Sequence, residues 1–148
     1  MIRTVITYCV FVAAVVVIGA LIGINTGPGE WYATLVKPWF SPPNWLFGPV
    51  WTVLYILIGC VGARKWMHGG AMGLWWGQMT LNFLWSPVFF LAHQPFAALM
   101  VIIGMWLLIA LFIRREWNSD RLSAVMFVPY LAWVSLATAL NAAIVVLN

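Results

Sequence analysis

The run TVITYCVFVAAVVVIGALIGI, residues 4–24, contains no charged side chain. A helix that crosses the hydrocarbon core of a bilayer needs about 20 predominantly apolar residues, and this run has that length. It follows Arg3 near the N-terminus, where the apolar core of a signal peptide would also lie. Such cores span only about 7–15 residues. We therefore predict a transmembrane helix over residues 4–24.

The rest of the chain has the same character. Hydrophobic residues make up 65% and charged residues 7% of the 148 residues, and the mean hydropathy is +1.01, whereas soluble domains carry about 25% charged residues. Four more apolar runs are long enough to span a membrane; they cover residues 44–64, 71–92, 95–113 and 122–147. The sequence therefore predicts one all-α membrane domain over residues 1–148, a bundle of five transmembrane helices.

The basic residues predict the orientation of these spans. Six of the seven Lys and Arg residues fall in segments on the side of the N-terminus: Arg3, Arg64, Lys65, Arg114, Arg115 and Arg121. Lys37 lies on the other side, in the long first connection, residues 25–43, which we call the lid loop. By the positive-inside rule the N-terminus is cytoplasmic, and the lid loop and the C-terminus are outside. No basic stripe exists beyond these positions, so no nucleic-acid partner is predicted.

Ionisable groups are missing from the middle of the predicted spans. The carboxylates Glu30, Glu116 and Asp120 lie in or beside connections, whereas ion-coupled carriers usually hold such a group within the membrane. His68 and His93 fall on opposite sides of the bilayer, so they cannot share a metal ion. The sequence also lacks a nucleophile-base pair and a phosphate-binding loop. These features favour binding over catalysis and predict neither a metal nor a required cofactor.

Three predicted spans carry polar or aromatic residues along one face at helical spacing. The stripes are Trp51 and Tyr55 in the second span, Gln78, Asn82 and Ser86 in the third, and Tyr130, Trp133, Ala137 and Asn141 in the fifth. Because an unpaired amide that faced lipid would be costly, the stripes are expected to converge inside the bundle. One interpretation is that these residues only hydrogen-bond the helices to one another, a contribution of about 1 kcal/mol per contact. We favour this interpretation for Gln78 when it is considered alone. The other interpretation is that the stripes line a pocket. Indoles around such a pocket suit a large, flat, apolar ligand.

The lid loop is rich in tryptophan and proline. Prolines restrict its backbone, so the loop loses less entropy when it is ordered over a ligand. The alternative is an interfacial cap that seals the bundle, since tryptophan is also enriched at membrane surfaces. We favour the first interpretation and predict that the loop covers the pocket.

A glycine pattern begins the third span. Gly69, Gly73 and Gly77 are spaced four residues apart, and small residues at this spacing permit close helix approach. They centre on the face opposite the polar stripe of that span, which predicts a twofold homodimer through the third span. The alternatives are packing within one chain, a position of Gly69 outside the span, and a rival interface through Gly19 and Gly23.

Three segments resemble a known family: WYATLVKPWFSPPNWLFGPVW at 31–51, LNFLWSPVFF at 81–90 and PYLAWVSLATALN at 129–141. They closely resemble the TspO/MBR family, which comprises the bacterial tryptophan-rich sensory proteins and the mitochondrial translocator protein, or peripheral-type benzodiazepine receptor. The resemblance implies a five-helix bundle in which the first loop covers a cavity. It also implies that this cavity binds porphyrins, haem-related tetrapyrroles, sterols and isoquinoline or benzodiazepine drugs.

The resemblance further implies roles for individual residues. Two positions match the tryptophans implicated in light-dependent breakdown of protoporphyrin IX by bacterial members; they are Trp51 and Trp133. Other positions around the family's cavity match Tyr32, Trp39, Tyr55, Asn82 and Ala137. The cholesterol motif of mitochondrial members is incomplete, because Ala142 replaces its tyrosine and no basic residue follows before Asn148. A bacterial-type porphyrin ligand, protoporphyrin IX or haem-like, and a bacterial cell membrane are therefore expected.

Three classes of function are open on this basis. The first is a membrane receptor or sensor that binds porphyrins and related tetrapyrroles and assists their transport. The second is a light-dependent porphyrin-degrading enzyme that uses Trp51 and Trp133. The third is an interaction or regulatory membrane protein whose pocket is incidental. Binding is favoured, because nothing in the sequence resembles a general acid or base tuned for catalysis.

Overall fold

The computed structural model, which describes residues 1–148, contains helices and no strands. In chain order the elements are α1 (Ile2–Thr26), α2 (Glu30–Thr34), α3 (Asn44–His68), α4 (Met72–Ser86), a π-helical turn (Pro87–Leu91), α5 (Pro95–Glu116) and α6 (Arg121–Leu147). The predicted all-α class is confirmed. The long helices overlap the predicted apolar runs, and the lid loop contains the short helix α2.

Four helices, α1, α3, α5 and α6, are long and apolar enough to cross a bilayer, which makes the chain a multi-pass membrane protein. The third predicted span, residues 71–92, differs. There α4 has only 15 residues and then widens into the π-helical turn of five residues. Pro87 begins this turn, and a proline has no N–H to continue the α-helical ladder. Ala92 N–H instead donates to the carbonyl oxygen of Pro87, at 2.9 Å. Helix length therefore supports four of the five predicted spans.

The predicted second span ends too early. Helix α3 continues to His68, so Arg64 and Lys65 lie in its last turns and not in a connection. Gly69 then ends the helix with φ of +75°, and Gly70 follows with φ of +113°. Glycine adopts these left-handed conformations without steric cost. Gly69 therefore lies outside α4, and the predicted stripe of three glycines on that helix is reduced to two.

The five long helices form a closed ring. Helix α1 packs along α3, α3 meets α6, α6 packs along α5, α5 packs along α4, and α4 returns to α1. Fully buried apolar side chains fill the centre, among them Ile58, Ile102, Met105, Ile109, Phe112, Phe127, Val134 and Ile144. Apolar side chains on the outside, such as Val5 and Leu107, are exposed, as expected for helices surrounded by lipid.

Helices α1 and α3 are close at one end and separate at the other. A Cβ atom added to Gly59 of α3 would lie 2.6 Å from the Cα atom of Val12 in α1, so the two backbones are in contact there. Nearer the lid loop, a Cβ atom added to Gly23 of α1 or to Gly48 of α3 would have no neighbouring atom within 4 Å. The two helices therefore leave a gap below the lid loop.

The lid loop is fastened to two other parts of the bundle. Val36 N–H donates to Oδ1 of Asn148 at 2.9 Å, and Nδ2 of Asn148 donates to the carbonyl oxygen of Val36 at 2.9 Å. Trp31 stacks on His93, which precedes α5, with ring centroids 4.4 Å apart. Within the loop, Lys37 Nζ donates to the carbonyl oxygen of Tyr32 at 2.8 Å. These contacts hold the loop over the end of the bundle.

Candidate functional site

The gap between α1 and α3 is part of a cavity of about 390 Å³, bounded by α1, α3 and α4, by Gly27 and Pro28 of the lid loop and by Phe90 of the π-helical turn. Cavities of about 300–1,000 Å³ are typical of small-molecule sites. The lining is largely apolar and aromatic, and its larger side chains are Phe47, Trp51, Tyr55, Trp85 and Phe90. Three of the predicted site residues, Trp51, Tyr55 and Asn82, contribute to this lining.

Two rings of α3 form a flat aromatic wall. Trp51 and Tyr55 are stacked with centroids 5.4 Å apart and an interplanar angle of 30°. Both side chains are half-buried, because one face packs into the bundle and the other borders the cavity. An aromatic surface of this kind offers stacking and apolar contact to a flat ligand. The shared face that the spacing of the two residues predicts is confirmed.

A hydrogen-bonded network joins three helices behind this wall. The hydroxyl of Tyr55 donates to Oδ1 of Asn82 at 3.2 Å, and Nδ2 of Asn82 donates to the hydroxyl oxygen of Tyr130 at 2.6 Å. Tyr130 in turn donates to Oε1 of Gln78 at 2.7 Å. The predicted convergence of the polar stripes is therefore confirmed for these four residues. Gln78 is fully buried and lies outside the cavity lining, as the helix-joining alternative requires.

The end of the cavity near the lid loop has a second polar contact. The hydroxyl groups of Thr26 and Ser86 are 2.7 Å apart, and Ser86 lines the cavity. Trp85 is fixed beside it, because its Nε1 donates to Oδ1 of Asn141 at 3.0 Å. The cavity thus combines aromatic walls with amide and hydroxyl groups at two separate places. Neutral polar groups of this kind bind carbonyl, hydroxyl or carboxyl groups of a ligand.

Four other predicted site residues lie outside the cavity lining. Trp39 is 95% exposed on the lid loop. Tyr32 is buried, and its ring packs against Phe90, which does line the cavity, with centroids 5.4 Å apart. Burial raises the pKa of Tyr32, while a hydrogen bond with Ser41 partly opposes this rise. The ligand contacts assigned to Tyr32 and Trp39 stay predictions.

The two predicted residues of α6 are separated from the cavity by other side chains. Trp133 packs edge-on against Phe47, with centroids 5.7 Å apart, and Phe47 lines the cavity. The Nε1 atom of Trp133 is buried and has no hydrogen-bond partner. Ala137 is 5% exposed and packs in the core. Their ligand contacts also stay predictions.

A group of charged residues at the opposite end of the bundle was not predicted from the sequence. Lys65 Nζ lies 2.6 Å from Glu116 and 3.0 Å from Asp120, and Arg64 lies 2.8 Å from Asp120. We call Arg64, Lys65, Glu116 and Asp120 the ion-pair cluster. Burial alone would raise the pKa of Asp120, but hydrogen bonds from Arg64, Ser123 and Lys65 outweigh it and hold this pKa well below its usual value. The cluster joins α3 to the turn between α5 and α6.

The predicted dimer glycines have different surroundings. Gly73 is exposed, with no atom within 4 Å of an added Cβ, whereas a Cβ on Gly77 would lie 3.1 Å from Leu108 of α5 in the same chain. Gly19, part of the rival pair, faces the ring of Tyr55 with no room for a side chain. Packing within one chain therefore accounts for Gly77 and Gly19, and Gly73 alone among the predicted glycines of α4 is left with a free surface.

Fold and cavity together define a class: a multi-pass helical membrane protein with an aromatic cavity of small-molecule size in its bundle. Comparison with known proteins gives the family, because the model of the TspO/MBR family matches residues 10–147. The chain belongs to the TspO/MBR family. The resemblance seen in the sequence is therefore confirmed.

The relatives come from distant organisms. The chain is 43% identical over 123 residues to the tryptophan-rich protein TspO of Archaeoglobus fulgidus, with 80% of each chain covered. It is 39% identical over 125 residues to the tryptophan-rich sensory protein of Cereibacter sphaeroides, covering 82% of this chain and 79% of the relative. It is 35% identical over 135 residues to the translocator protein of Homo sapiens, covering 84% of this chain and 80% of the relative. The similarity thus extends over most of each protein.

Proposed function

We propose that the protein is a membrane receptor or sensor that binds a porphyrin or related tetrapyrrole in the cavity between α1, α3 and α4. The stacked pair of Trp51 and Tyr55 on the cavity wall carries this proposal, because its aromatic surface suits a flat, largely apolar macrocycle. Isoquinoline- and benzodiazepine-type drugs share this flatness and are alternative ligands. The names of the relatives, sensory protein and translocator protein, support sensing of the ligand or assistance to its transport.

Polar groups of the cavity orient the ligand in this proposal. Tyr55 uses its proton on Asn82, so the lone pairs of its oxygen accept from a ligand donor. One helical turn further along α4, the hydroxyl group of Ser86, which lines the cavity and is paired with Thr26, binds a carboxyl group at the ligand edge. Asn82 and Ser86 are one helical turn apart on α4, about 6 Å along the helix axis. The two places therefore suit a ligand whose polar groups lie near one edge.

Residues behind the lining take part after a local rearrangement. An unpaired buried N–H costs about 1–3 kcal/mol, and the Nε1 atom of Trp133 is in this state. A ligand that moves the ring of Phe47 aside brings an acceptor to this indole and removes the cost. Ala137 lies on the same helix one turn further, and in this proposal the ligand reaches it after the same rearrangement. Tyr32 and Trp39 contact the ligand when the lid loop shifts over it.

Titration with protoporphyrin IX in darkness tests the proposal. Protein in lipid nanodiscs is followed by tryptophan fluorescence and by the absorption of the porphyrin. We expect saturable binding, and Trp51→Phe weakens it by about 2- to 10-fold, since an aromatic contact contributes about 0.5–1.5 kcal/mol. Trp45→Phe is the matched control, because Trp45 lies on the same helix and is 72% exposed. Absence of binding, or equal affinities of the two variants, contradicts the proposal and favours an interaction protein with an incidental pocket.

A second candidate function is light-dependent degradation of the bound porphyrin, with dioxygen as the oxidant. The position of Trp51 on the cavity wall favours it, because an indole in contact with a light-absorbing ring is suited to electron transfer. Illumination of the complex in air and under argon tests this candidate. A new product that requires the protein, light and dioxygen, and that Trp51→Phe reduces, supports it. Identical spectra before and after illumination leave only the binding function.

The proposed membrane arrangement has five spans. Together α4 and the π-helical turn cover Met72–Leu91, about the 20 residues that a span needs. We propose that they form the fifth crossing, with the N-terminus in the cytoplasm of a bacterial cell and the lid loop outside. Single cysteines introduced at Asn118 and at Trp39 test the orientation. An impermeant thiol reagent applied to intact cells is expected to label the cysteine at position 39 and not the one at position 118. Label at Asn118 alone contradicts it.

We also propose a twofold homodimer through the exposed face of α4. Gly73 has free space around it, and on the same face Trp76 is 50% and Leu84 is 44% exposed. Twofold symmetry would place each Gly73 near its copy, which permits close helix approach. Oxidative cross-linking of Gly73→Cys in membranes is expected to yield dimer, and Gly23→Cys on α1 is the control. Dimer from the control alone contradicts this interface.

A further inference from the structure

We infer that the ligand enters the cavity sideways from the bilayer, through an opening between α1 and α3 that is bordered by Gly23 and Gly48. This inference rests on the proposed function, because it concerns how a ligand reaches the same cavity. It also defines the chemical class of the ligand: a flat amphiphile that is dissolved in the membrane, with its polar groups at one edge. A ligand supplied only from water would need another route.

Three sides of the cavity are closed by direct contacts. Below it, Gly19 of α1 is pressed against the ring of Tyr55. Toward the centre of the bundle, the hydrogen bond between Tyr55 and Asn82 continues into the core. Toward the lid loop, the hydroxyl groups of Thr26 and Ser86 are paired at 2.7 Å. The first two contacts also fix Tyr55, so the wall between cavity and core has no gap at this residue.

The lid loop adds a second closure on its side. The aromatic ring of Tyr32 lies over Phe90, a cavity residue, with centroids 5.4 Å apart. The two hydrogen bonds between Val36 and Asn148 fasten the loop to the end of α6. Entry from water past the lid loop would have to break these hydrogen bonds and separate the aromatic pair.

The fourth side is open. Several residues line the cavity and are at the same time exposed on the outer surface of the bundle: Ala20, Gly23 and Ile24 of α1, and Asn44, Gly48 and Thr52 of α3. They are mostly small, so no side chain fills the space between the helices. Because α1 and α3 are membrane-spanning helices, the surface to which this side opens is the lipid acyl chains.

The depth of the opening fits an amphiphile. Gly23 lies three residues before the end of α1 and Gly48 four residues after the start of α3, which is about 5–6 Å from the helix ends at a rise of 1.5 Å per residue. Ala20 and Thr52 extend the opening to about 9–12 Å by the same measure. The opening therefore lies in the half of the bilayer next to the lid loop. A flat ligand with acidic groups at one edge would hold its apolar ring at this depth and its acidic groups among the lipid headgroups.

Leucine substitutions of the two glycines test the inference by rates. A Cβ at Gly23 or Gly48 meets no atom within 4 Å, and leucine is a better helix former than glycine, so Gly23→Leu and Gly48→Leu fold and narrow the opening. The control is Ala14→Leu, on the exposed surface of α1 away from the cavity. Stopped-flow mixing of protoporphyrin IX vesicles with protein in nanodiscs gives the association rate, and displacement gives the dissociation rate.

The changes in the association and dissociation rates show whether Gly23 and Gly48 border an entrance or belong to the binding site itself. Narrowing an entrance slows association and dissociation together, by about tenfold if the barrier rises by about 1.4 kcal/mol. Filling the binding site instead speeds dissociation. Faster dissociation, or rates equal to those of Ala14→Leu in both variants, overturns the inference.

Thiol labelling gives a test that does not depend on porphyrin binding. Ser86→Cys, in a chain with Cys9 and Cys60 replaced by alanine, places a thiol on the cavity lining. We expect membrane-soluble N-ethylmaleimide to label it, a sulfonated maleimide to fail, and Gly48→Leu to slow the labelling. Equal labelling by the charged reagent, or no slowing by Gly48→Leu, contradicts the lateral opening even if porphyrin binds. Failure of porphyrin binding with the expected labelling contradicts only the proposed ligand.

Discussion

The two ends of α3 differ in how they are held. At the end that contains Arg64 and Lys65, these side chains are paired with Glu116 and Asp120, and the side chains of Lys65 and Glu116 are almost excluded from solvent. The neighbouring helix α1 is in backbone contact with α3 at Gly59. At the other end, near the lid loop, α1 and α3 separate around a cavity. A bundle that is firmly joined at one end is able to keep an open space at the other without collapse.

Removal of the buried carboxylate of Glu116 is expected to have the largest effect on stability at the ion-paired end of α3. The side chains of Lys65 and Glu116 are 3% and 2% exposed, and removal of one partner of a buried ion pair costs about 3–5 kcal/mol. Glu116→Ala is therefore expected to lower the temperature of unfolding strongly, as measured in detergent micelles. Glu30→Ala changes an exposed carboxylate of the lid loop and is the control. Equal unfolding temperatures of the two variants would show that the ion-pair cluster does not hold this end.

A methyl group added at Gly59, between α1 and α3, is expected to have the next largest effect on the free energy of unfolding. A Cβ at Gly59 would lie 2.6 Å from backbone of α1, and overpacking of this kind costs about 1–3 kcal/mol. Gly59→Ala thus lowers the free energy of unfolding, whereas Gly23→Ala, at the open end of the same helix pair, does not. Urea unfolding followed by circular dichroism measures both. A cost for Gly23→Ala as large as that for Gly59→Ala contradicts the difference between the ends.

Acid is expected to weaken the ion-pair end selectively. Because the pKa of Asp120 is held below its usual value in the folded protein, its stabilisation is complete above the unfolded pKa of about 3.9 and is lost as the pH falls below it. The unfolding temperature of the wild type should therefore begin to drop at about pH 4 and continue to drop as the pH falls toward the much lower pKa of the folded state. Asp120→Asn is expected to be less stable at pH 7 and to show a smaller drop. Parallel curves for the two proteins would contradict this role of Asp120.

Release of the lid loop is expected to have the smallest effect on stability. Asn148→Ala removes two hydrogen bonds to Val36, each with a net contribution of about 0.5–1.5 kcal/mol. Because these bonds are exposed, we expect the low end of this range, with faster hydrogen exchange of the Val36 amide as the direct signal. Asn118→Ala, in the turn at the opposite end, should leave this amide unchanged. Unaltered exchange in Asn148→Ala would show that other contacts fasten the loop.

The sequence predicted the parts of this structure that depend on periodicity. Uncharged runs of about 20 residues indicate helices because lipid leaves few alternatives. The helical spacing of Tyr55, Asn82 and Tyr130 then placed their polar groups inside the bundle, where they are hydrogen-bonded. These predictions use only local pattern and the cost of an unpaired polar group, and both are visible in the chain.

Other features depend on which helices become neighbours. The contact of Lys65 with Glu116 joins residues that are 51 positions apart, and charges near span ends are equally expected from orientation alone. The position of Trp133 behind Phe47 follows from the packing of two rings, which helical spacing does not determine. The close contact of α1 with α3 likewise depends on Gly59, one glycine among several with the same local sequence character.

The π-helical turn after Ser86 changes the directions in which the following side chains point around the helix axis. One additional residue in a turn rotates all later side chains by about 100° around the axis. Up to Ser86 the helix presents its polar residues to the network and the cavity, whereas within the turn Phe89 and Phe90 face Tyr32 of the lid loop. Deletion of Val88 would restore the α-helical phase and turn these two rings away from Tyr32. At this point the number of residues matters as much as their identity.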